Sequence, residues 1–501
     1  MSNDRGPGRS IETSGAPVSS RARRAAMLYV AALAIFLRFY DLPLKPLHHD
    51  EGVNAFFLTK LVRPPHTYQY DPANYHGPTL YYFGWLSASV FGLETVALRM
   101  VTACAGLAIV LMPLAFRRQL GDAGTLAACA LLASSSGAVY YARYFIHESI
   151  LVCSTLALVI FAISWWRSRS RMALYLAATS AGVMFATKET ALIAAVVLAG
   201  SAFLTVIATA RLAATMTSID RRDVRMLIEA GIVFVAVALL FYTALFTDPS
   251  GAAAAIRTFA IWTKTGTSDH THAWYSYLHW LAIEDLAVLA AGVVGAGLAM
   301  RRLRNPFAVF AAIWACGILA AYSLIPYKTP WLVLNAIAPL SLCAGYAFES
   351  LWQQRTRATR VLFWLLLAGA TGASTSRAAW LNFWHYDDAR SPYVYAHTSR
   401  EVFGLVHEVE SIESKNPGAT IAVTSRQYFP LPWYFRNYRA AFYGRTQTTD
   451  APIVIGSLDQ RGVLDLLLEP RYERRGPYRL RPGVWLLLYV RRDVKQQATA
   501  Y

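Results

Sequence analysis

Long apolar runs recur along this chain between residues 26 and 379, separated by short polar breaks. Each run approaches the roughly 20 residues that a helix needs to cross a bilayer core. The pattern predicts about eleven spans, at 26–43, 97–116, 123–141, 149–166, 172–187, 190–208, 227–246, 281–300, 306–325, 331–350 and 361–379. A shorter apolar stretch, PTLYYFGWLSASVFGL at 78–93, predicts a re-entrant or surface-lying helix. After Trp380 the pattern changes. ATIAVTS (419–425), APIVIGS (451–457) and GVWLLLYV (483–490) read as short buried strands, and 399–415 reads as a helix opened by a serine N-cap. The expected fold class is a mainly α, polytopic transmembrane chain with a small C-terminal α/β domain. The layout is a polar, disordered cytoplasmic tail at 1–24, a membrane domain at 25–380 and an extracytoplasmic domain at 381–501.

Composition agrees: 55% of the 501 residues are hydrophobic and 15% charged, well below the quarter or so usual in soluble domains. The net charge of +17 would suggest nucleic acid in a soluble protein. Here the arginines fall in clusters at alternate loops: 21–24, 117–118, 167–171, 211–225, 301–304 and 355–360. That is the positive-inside pattern. No basic patch interleaves with stacking aromatics in a soluble module, so the charge reads as topology and not as a nucleic-acid surface. The N-terminus is then cytoplasmic and the C-terminal domain lies outside the cell membrane. The first apolar run follows arginines as in a signal peptide but lacks a cleavage pattern, and reads as a retained anchor. The five cysteines all sit in apolar segments and form no CxxC pair, so neither a disulfide framework nor a zinc site is indicated.

With that topology, four segments face outward together: 44–96, 142–149, 247–280 and 325–331. They carry Asp50, Glu51, His76, Arg143, His147, Glu148 and Lys328, and Lys188 joins them from FATKETAL. Ionisable groups at membrane depth are costly and tend to mark function. Asp50 and Glu51 open the segment EGVNAFFLTKLVR, expected as an interfacial helix. Either they cap that helix, or one of them is an ionised base; adjacent helix positions point apart, so the two should differ in role. Arg143 and His147 are four apart and would share a helix face. Asp50, His147 and Glu148 are the residues that would hold a divalent metal, although their spacing specifies none. Lys188 and Lys328 suit an anionic lipid phosphate. Tyr82 belongs either to substrate binding or to an aromatic belt. YFPLPWYFRNY (428–438) is either a carbohydrate platform or, more simply, a hydrophobic seam.

Several of these motifs occur in a telling order: HHDEG, HGPTLYYF with VALRMVTACAG, YYARYFIHES, FATKETAL and IPYKTPWLVLNAIAPL. Together they resemble the GT-C membrane glycosyltransferases, which include protein O-mannosyltransferases and the aminoarabinose transferase of lipid A. PLPWYFRNY is similar to the flippase-activity-associated proteins within that group. The resemblance implies a polyprenyl-phosphate-linked sugar donor, a lipid, glycan or protein acceptor, and inverting transfer outside the cytoplasm. It implies Asp50 as general base, Glu51 and Glu148 as further acids, and His76, Tyr82, Arg143, His147, Lys188, Tyr327 and Lys328 around the substrate. Where the aminoarabinose-type enzymes have KPP, this chain has His76-Gly77-Pro78, so a phosphate-contacting lysine is replaced. The alternative function is a non-catalytic, flippase-associated protein that carries lipid-linked glycans. Transporters often show internal repeats, and none is evident here.

Overall fold

The structure is a computed structural model that describes residues 20–74, 76–209, 221–265 and 271–494. Most of the expected N-terminal tail therefore lies outside the described residues. The first helix, α1, is Ser20–Phe39, followed by α2 (His49–Val62), α3 (Thr79–Phe91), α4 (Thr95–Leu111), α5 (Arg117–Ser134) and α6 (Ser136–Ala142). Then come α7 (Glu148–Ser168), α8 (Arg171–Phe185), α9 (Ala191–Ala208), α10 (Arg221–Tyr242), α11 (Ser250–Thr265) and α12 (Ser276–Glu284). The membrane part closes with α13 (Leu286–Arg302), α14 (Pro306–Leu324), α15 (Leu334–Trp352) and α16 (Arg357–Ala379). The central core lies around α5 and α15: α15 is almost wholly buried, its Gly345 meets Gly124 of α5, and Gly292 and Gly295 of α13 close on its Leu340 and Cys343.

Among the described residues, seven helical stretches are long and apolar enough to cross a membrane, or eight if the bent pair α12–α13 is one span. The expected count is about eleven, and the difference has local reasons. Thr95–Ser134 is one 40-residue helical run that takes in two of the expected spans, bent at Gly121, whose φ is +77°. α8 has only 15 residues. α12 and α13 meet at 117°. The odd count therefore carries no orientation.

What does organise the bundle is the sorting of its ends. α7 begins at Glu148 and ends 21 residues later beside Arg167 and Arg169, a rise of roughly 30 Å. At the arginine end, Arg23 pairs with Asp122, Asn305 Nδ2 donates to the Gln119 carbonyl at 2.7 Å, and Arg302 reaches Ser350 Oγ at 3.3 Å. Arg169 lies 3.6 Å from Asp223. The arginine clusters of separate loops thus gather at one end of the bundle, and the acids and histidines at the other.

The C-terminal part is a five-stranded mixed sheet. Its strands are β1 (Ile421–Val423), β2 (Ala440–Phe442), β3 (Ile453–Ser457), β4 (Tyr472–Arg481) and β5 (Val484–Arg491), in the order β2-β1-β3-β5-β4. β1 runs parallel to β2 and β3, and β5 antiparallel to β3 and β4. All five residues of β3 are buried, as a strand covered on both faces requires. One face is covered by α17 (Val402–Lys415), the other by α18 (Arg461–Leu468). The three expected strands are present, and β2, β4 and α18 add to them. The expected serine cap is not: α17 starts at Val402 after Glu401, with no side-chain cap.

The sheet domain is docked on the membrane part through 428–438, and the seam reading holds for the centre of that segment. Trp433 is buried against Leu98 and Tyr82 in a shared cluster, its Nε1 donating to Thr95 Oγ1 at 3.2 Å. The Tyr434 hydroxyl accepts from the Leu47 amide at 2.8 Å, and Arg436 reaches the Leu93 carbonyl at 3.0 Å. A Cβ at Gly52 would stand 2.6 Å from Pro430 Cβ, so α2 meets the docked loop with no room for a side chain.

Candidate active site

The loops at the acidic end enclose a cavity of about 770 Å³. Its floor comes from the starts of α2, α7 and α9, and one wall from the sheet domain.

The order begins at His48, the N-cap of α2. Its Nδ1 accepts from the Asp50 amide at 3.1 Å, and its amide donates to Glu51 Oε2 at 2.9 Å, a reciprocal capping box. His48 Nε2 lies 2.7 Å from the Tyr395 carbonyl, which fixes the ring as the Nε2–H tautomer. Asp50 and Glu51 then point to different surroundings, as adjacent helix positions should.

Glu51 is fully buried and taken up by structure. It accepts from Arg99 Nε and Nη2 at 2.8 and 2.7 Å and from the Phe145 amide at 2.8 Å. Arg99 is equally buried and also donates to the carbonyls of Leu42 and Lys45 at 2.6 and 2.9 Å. This clasp ties the first loop, α4 and the 142–149 turn together. Burial alone would raise the Glu51 carboxyl; the Arg99 charge and hydrogen bonds, with the His48 and Phe145 amides, outweigh it and hold it below the usual range. Glu51 is thus no free catalytic acid, a correction to the sequence expectation. The missed partner was signalled by a lone arginine inside the apolar run VALRMVT.

Asp50 lines the cavity, half-buried, and its carboxylate makes no hydrogen bond or ion pair among the described residues. Burial raises its carboxyl, but His48, His49, His76 and Lys188 together outweigh that and hold it below its ordinary value. The start of α2 favours the anion further.

The other acids on the floor have side-chain partners. Glu148, the first residue of α7, pairs with Lys188, and both are buried. Glu189 Oε2 lies 2.9 Å from His76 Nδ1. His76 is held there by Gly77: its amide donates to the Thr187 carbonyl at 3.1 Å, and a Cβ at Gly77 would sit 2.1 Å from the Ala186 carbonyl oxygen. HGP and TKET therefore form one backbone-paired unit. His147 lines the cavity with Nε2 on the Gly77 carbonyl at 3.1 Å, and burial pushes it well below the ordinary histidine value, so it is neutral. Tyr327 lines the cavity too.

Three expected residues are not brought to the cavity. Arg143 faces away from the cavity: residues 143–147 form a turn and not a helix, and its guanidinium donates to the carbonyls of Tyr40 and Asp41 at 2.6 and 2.8 Å. Tyr82 is packed beside Tyr68 and Phe241, off the cavity. Lys328 is buried with Nζ on the Ile325 carbonyl at 2.5 Å and does not line the cavity. The sequence leaves a metal open, with Asp50, His147 and Glu148 to hold it if present; among the described residues no group of three His, Cys, Asp or Glu side chains is arranged to hold an ion. Glu148 is occupied by Lys188 and His147 Nε2 by a carbonyl.

The sheet domain supplies residues the sequence reading missed. Arg426, Tyr428, Phe429 and Arg481 complete the wall. Segment 428–438 therefore does two jobs, with its first residues in the cavity and its centre in the seam. A second cavity, of about 780 Å³, lies at the arginine end between Arg117, Arg118, Asp122, Arg167 and Glu349. There Asp122 is paired with both Arg23 and Arg117, and Glu349 accepts from the Gly124 amide at 3.0 Å.

Fold and cavity together define a multi-pass membrane protein of GT-C fold, similar to glycosyltransferases that use lipid-phosphate sugars. Residues 75–219 match the family model of the dolichyl-phosphate-mannose-protein mannosyltransferases, a stretch that includes His76, Glu148 and Lys188 but stops short of Asp50. The solved structures of ArnT from Cupriavidus metallidurans, with undecaprenyl phosphate and in the apo state, superpose with TM-scores of 0.66 and 0.68 at 16% and 15% identity. They cover 94% and 95% of this chain, and 99% and 100% of their own. The oligosaccharyltransferase of Archaeoglobus fulgidus, tethered to an acceptor peptide, superposes with a TM-score of 0.55 at 12% identity, over 95% of this chain and 74% of that one. At such identities the likeness shows the fold. No curated protein sequence matches the chain.

Proposed function

We propose that the chain is a membrane glycosyltransferase. It moves a sugar from a polyprenyl-phosphate donor to an acceptor hydroxyl, with Asp50 as general base. The observation that carries this is a contrast among the acids: Glu148 and Glu189 on the cavity floor, and Glu51 buried beneath it, each face a cationic or histidine partner, while the Asp50 carboxylate faces open cavity. An ionised, unengaged carboxylate in a water-accessible cavity is what proton abstraction from a hydroxyl needs. As the acceptor oxygen bonds to the sugar's anomeric carbon, its proton passes to Asp50. The carbon–oxygen bond to the phosphate breaks, and the polyprenyl phosphate leaves with the electron pair beside Lys188 and His76. Attack opposite the departing phosphate inverts the anomeric centre. Glu148 holds Lys188 at that wall, and Tyr327 borders it.

The gathering of arginines at the far end of the bundle supports an extracytoplasmic cavity in the cell membrane. The PLPWYFRNY segment supports the narrower likeness to the flippase-activity-associated proteins. The test is sugar transfer by purified protein from polyprenyl-phosphate sugars, wild type beside Asp50→Asn, with and without EDTA. Turnover lost in the variant at unchanged melting temperature is the expected result. Tight lipid binding by both proteins without turnover by either would replace the reading with a non-catalytic carrier of lipid-linked glycans.

A further inference from the structure

The cavity has an unbalanced wall. Arg481, at the end of β4, is only 9% exposed, yet its guanidinium has no carboxylate in ion-pairing range among the described residues. Nη1 is 3.0 Å from His49 Nδ1, and Nη2 donates to the Phe429 carbonyl at 2.7 Å. Its Nε–H is buried with no partner among the described residues. Burial pulls this guanidinium down to about 10, with the Asp50 charge as the opposing influence. The His49 ring accepts the arginine's hydrogen bond, and burial brings that ring to about 4, so at neutral pH it does not answer the charge. A buried cation ordinarily has a paired anion and satisfied donors. Arg426 stands in the same wall, exposed to the cavity. Between the two arginines lie Tyr428 and Phe429, their ring centroids 4.9 Å apart.

We infer that this sheet-domain wall, Arg481 and Arg426 flanking Tyr428 and Phe429 above Asp50, reads the acceptor, and that the acceptor is a glycan bearing a carboxylate or phosphate. The inference rests on the proposed transfer reaction for the word acceptor, but the charge recognition stands on the wall itself. The donor's phosphate belongs at the Lys188–His76 wall, so an in-line attack brings the acceptor from the other side of Asp50. That side is the sheet domain. Planar guanidinium donors match carboxylate and phosphate oxygens, and the two rings offer a surface for the apolar face of a sugar.

Binding to the detergent-solubilised full chain tests this without requiring turnover. The probes are a glucuronate-containing tetrasaccharide, the same tetrasaccharide with its carboxylates reduced to alcohols, and the reduced form carrying a 6-phosphate. Wild type should bind one or both charged probes on the order of tenfold more tightly than the neutral one. Whichever charged probe gains identifies the anion. Arg481→Gln and Arg426→Gln should each shrink that preference, and together abolish it. Arg481→Lys should keep part of it, and Asp50→Asn all of it. Arg426 is exposed, so its variant tests the wall even where Arg481→Gln fails to fold. Equal binding of charged and neutral probes by wild type, binding of none, or a preference that survives both glutamines overturns the inference. A charge preference with no sugar transfer by wild type instead sinks the transferase reading and leaves the charge-reading wall in place.

Discussion

Two cavities of nearly equal volume lie at opposite ends of the helical bundle, and they differ in how their charges are settled. At the arginine end Asp122 is paired twice and Glu349 is satisfied by a backbone amide. At the other end Asp50 and Arg481 both face the cavity without an ion-pair partner among the described residues. Size does not separate the two cavities; burial of the unpaired charge does, since Arg118 and Arg167 at the arginine end also lack an ion-pair partner among the described residues but are exposed, whereas Arg481 is buried and Asp50 half-buried. A protein that leaves an anion and a cation apart in one enclosed space keeps electrostatic energy available for something that enters it.

The sharpest way to break this contrast is Asp50→Asn. Sugar transfer should fall about 10²–10⁴-fold, the usual range for a general base, while the detergent melting temperature stays unchanged. In wild type the rate should be flat through neutral pH and fall only in acid, as the depressed Asp50 carboxyl takes up a proton, which a pH–rate profile would show. A bell with its acid limb near pH 7 would point to a different base.

Glu51→Gln should do the reverse. It removes the charge of a fully buried pair and leaves Arg99 unanswered, a loss of about 3–5 kcal/mol measured by thermal or denaturant unfolding. The pH sign follows from the depressed value: Glu51 adds stability above its unfolded pKa of about 4.3. That contribution is lost as the pH falls through the lower, folded value. Unfolding followed from pH 6 to pH 3 should therefore show a step that Glu51→Gln lacks.

Gly52→Val is expected to cost about 1–3 kcal/mol, because its branched side chain meets Pro430. Protease should cut 381–501 away faster, and transfer should fall as the cavity wall loosens. Arg118→Ala, in the arginine-end cavity, should change transfer less than about twofold, as expected of a surface charge outside the site. A larger loss there would erase the distinction between the two cavities.

Much of this was legible in the chain. The positions of the helices followed the apolar runs, and the convergence of 44–96, 142–149 and 325–331 followed from their alternation. The number of spans did not, because the bend at Gly121 and the 117° break between α12 and α13 are backbone events that leave hydropathy untouched. Asp50, His76, His147, Glu148, Lys188 and Tyr327 were found as polar groups where apolar runs end. Glu51, Arg143, Tyr82 and Lys328 were misplaced for one reason: a local sequence shows a charge or a hydroxyl but not its partner. Glu51 is answered by Arg99, 48 residues on, and Arg143 by carbonyls more than 100 residues back. Arg481 gave no local signal at all, since it meets His49 across 432 residues of chain.

That last separation gives the protein an order of assembly. Domains fold largely as they emerge, N-terminal parts first. Arg481 follows His49 by 432 residues, so the carboxylate floor leaves the ribosome well before it. Through that interval of synthesis and membrane insertion the floor exists without its wall. Completion of β4, the strand that carries Arg481, is then the moment at which the enclosure closes, so under the proposed reaction an unfinished chain would stay silent without any separate inhibitor.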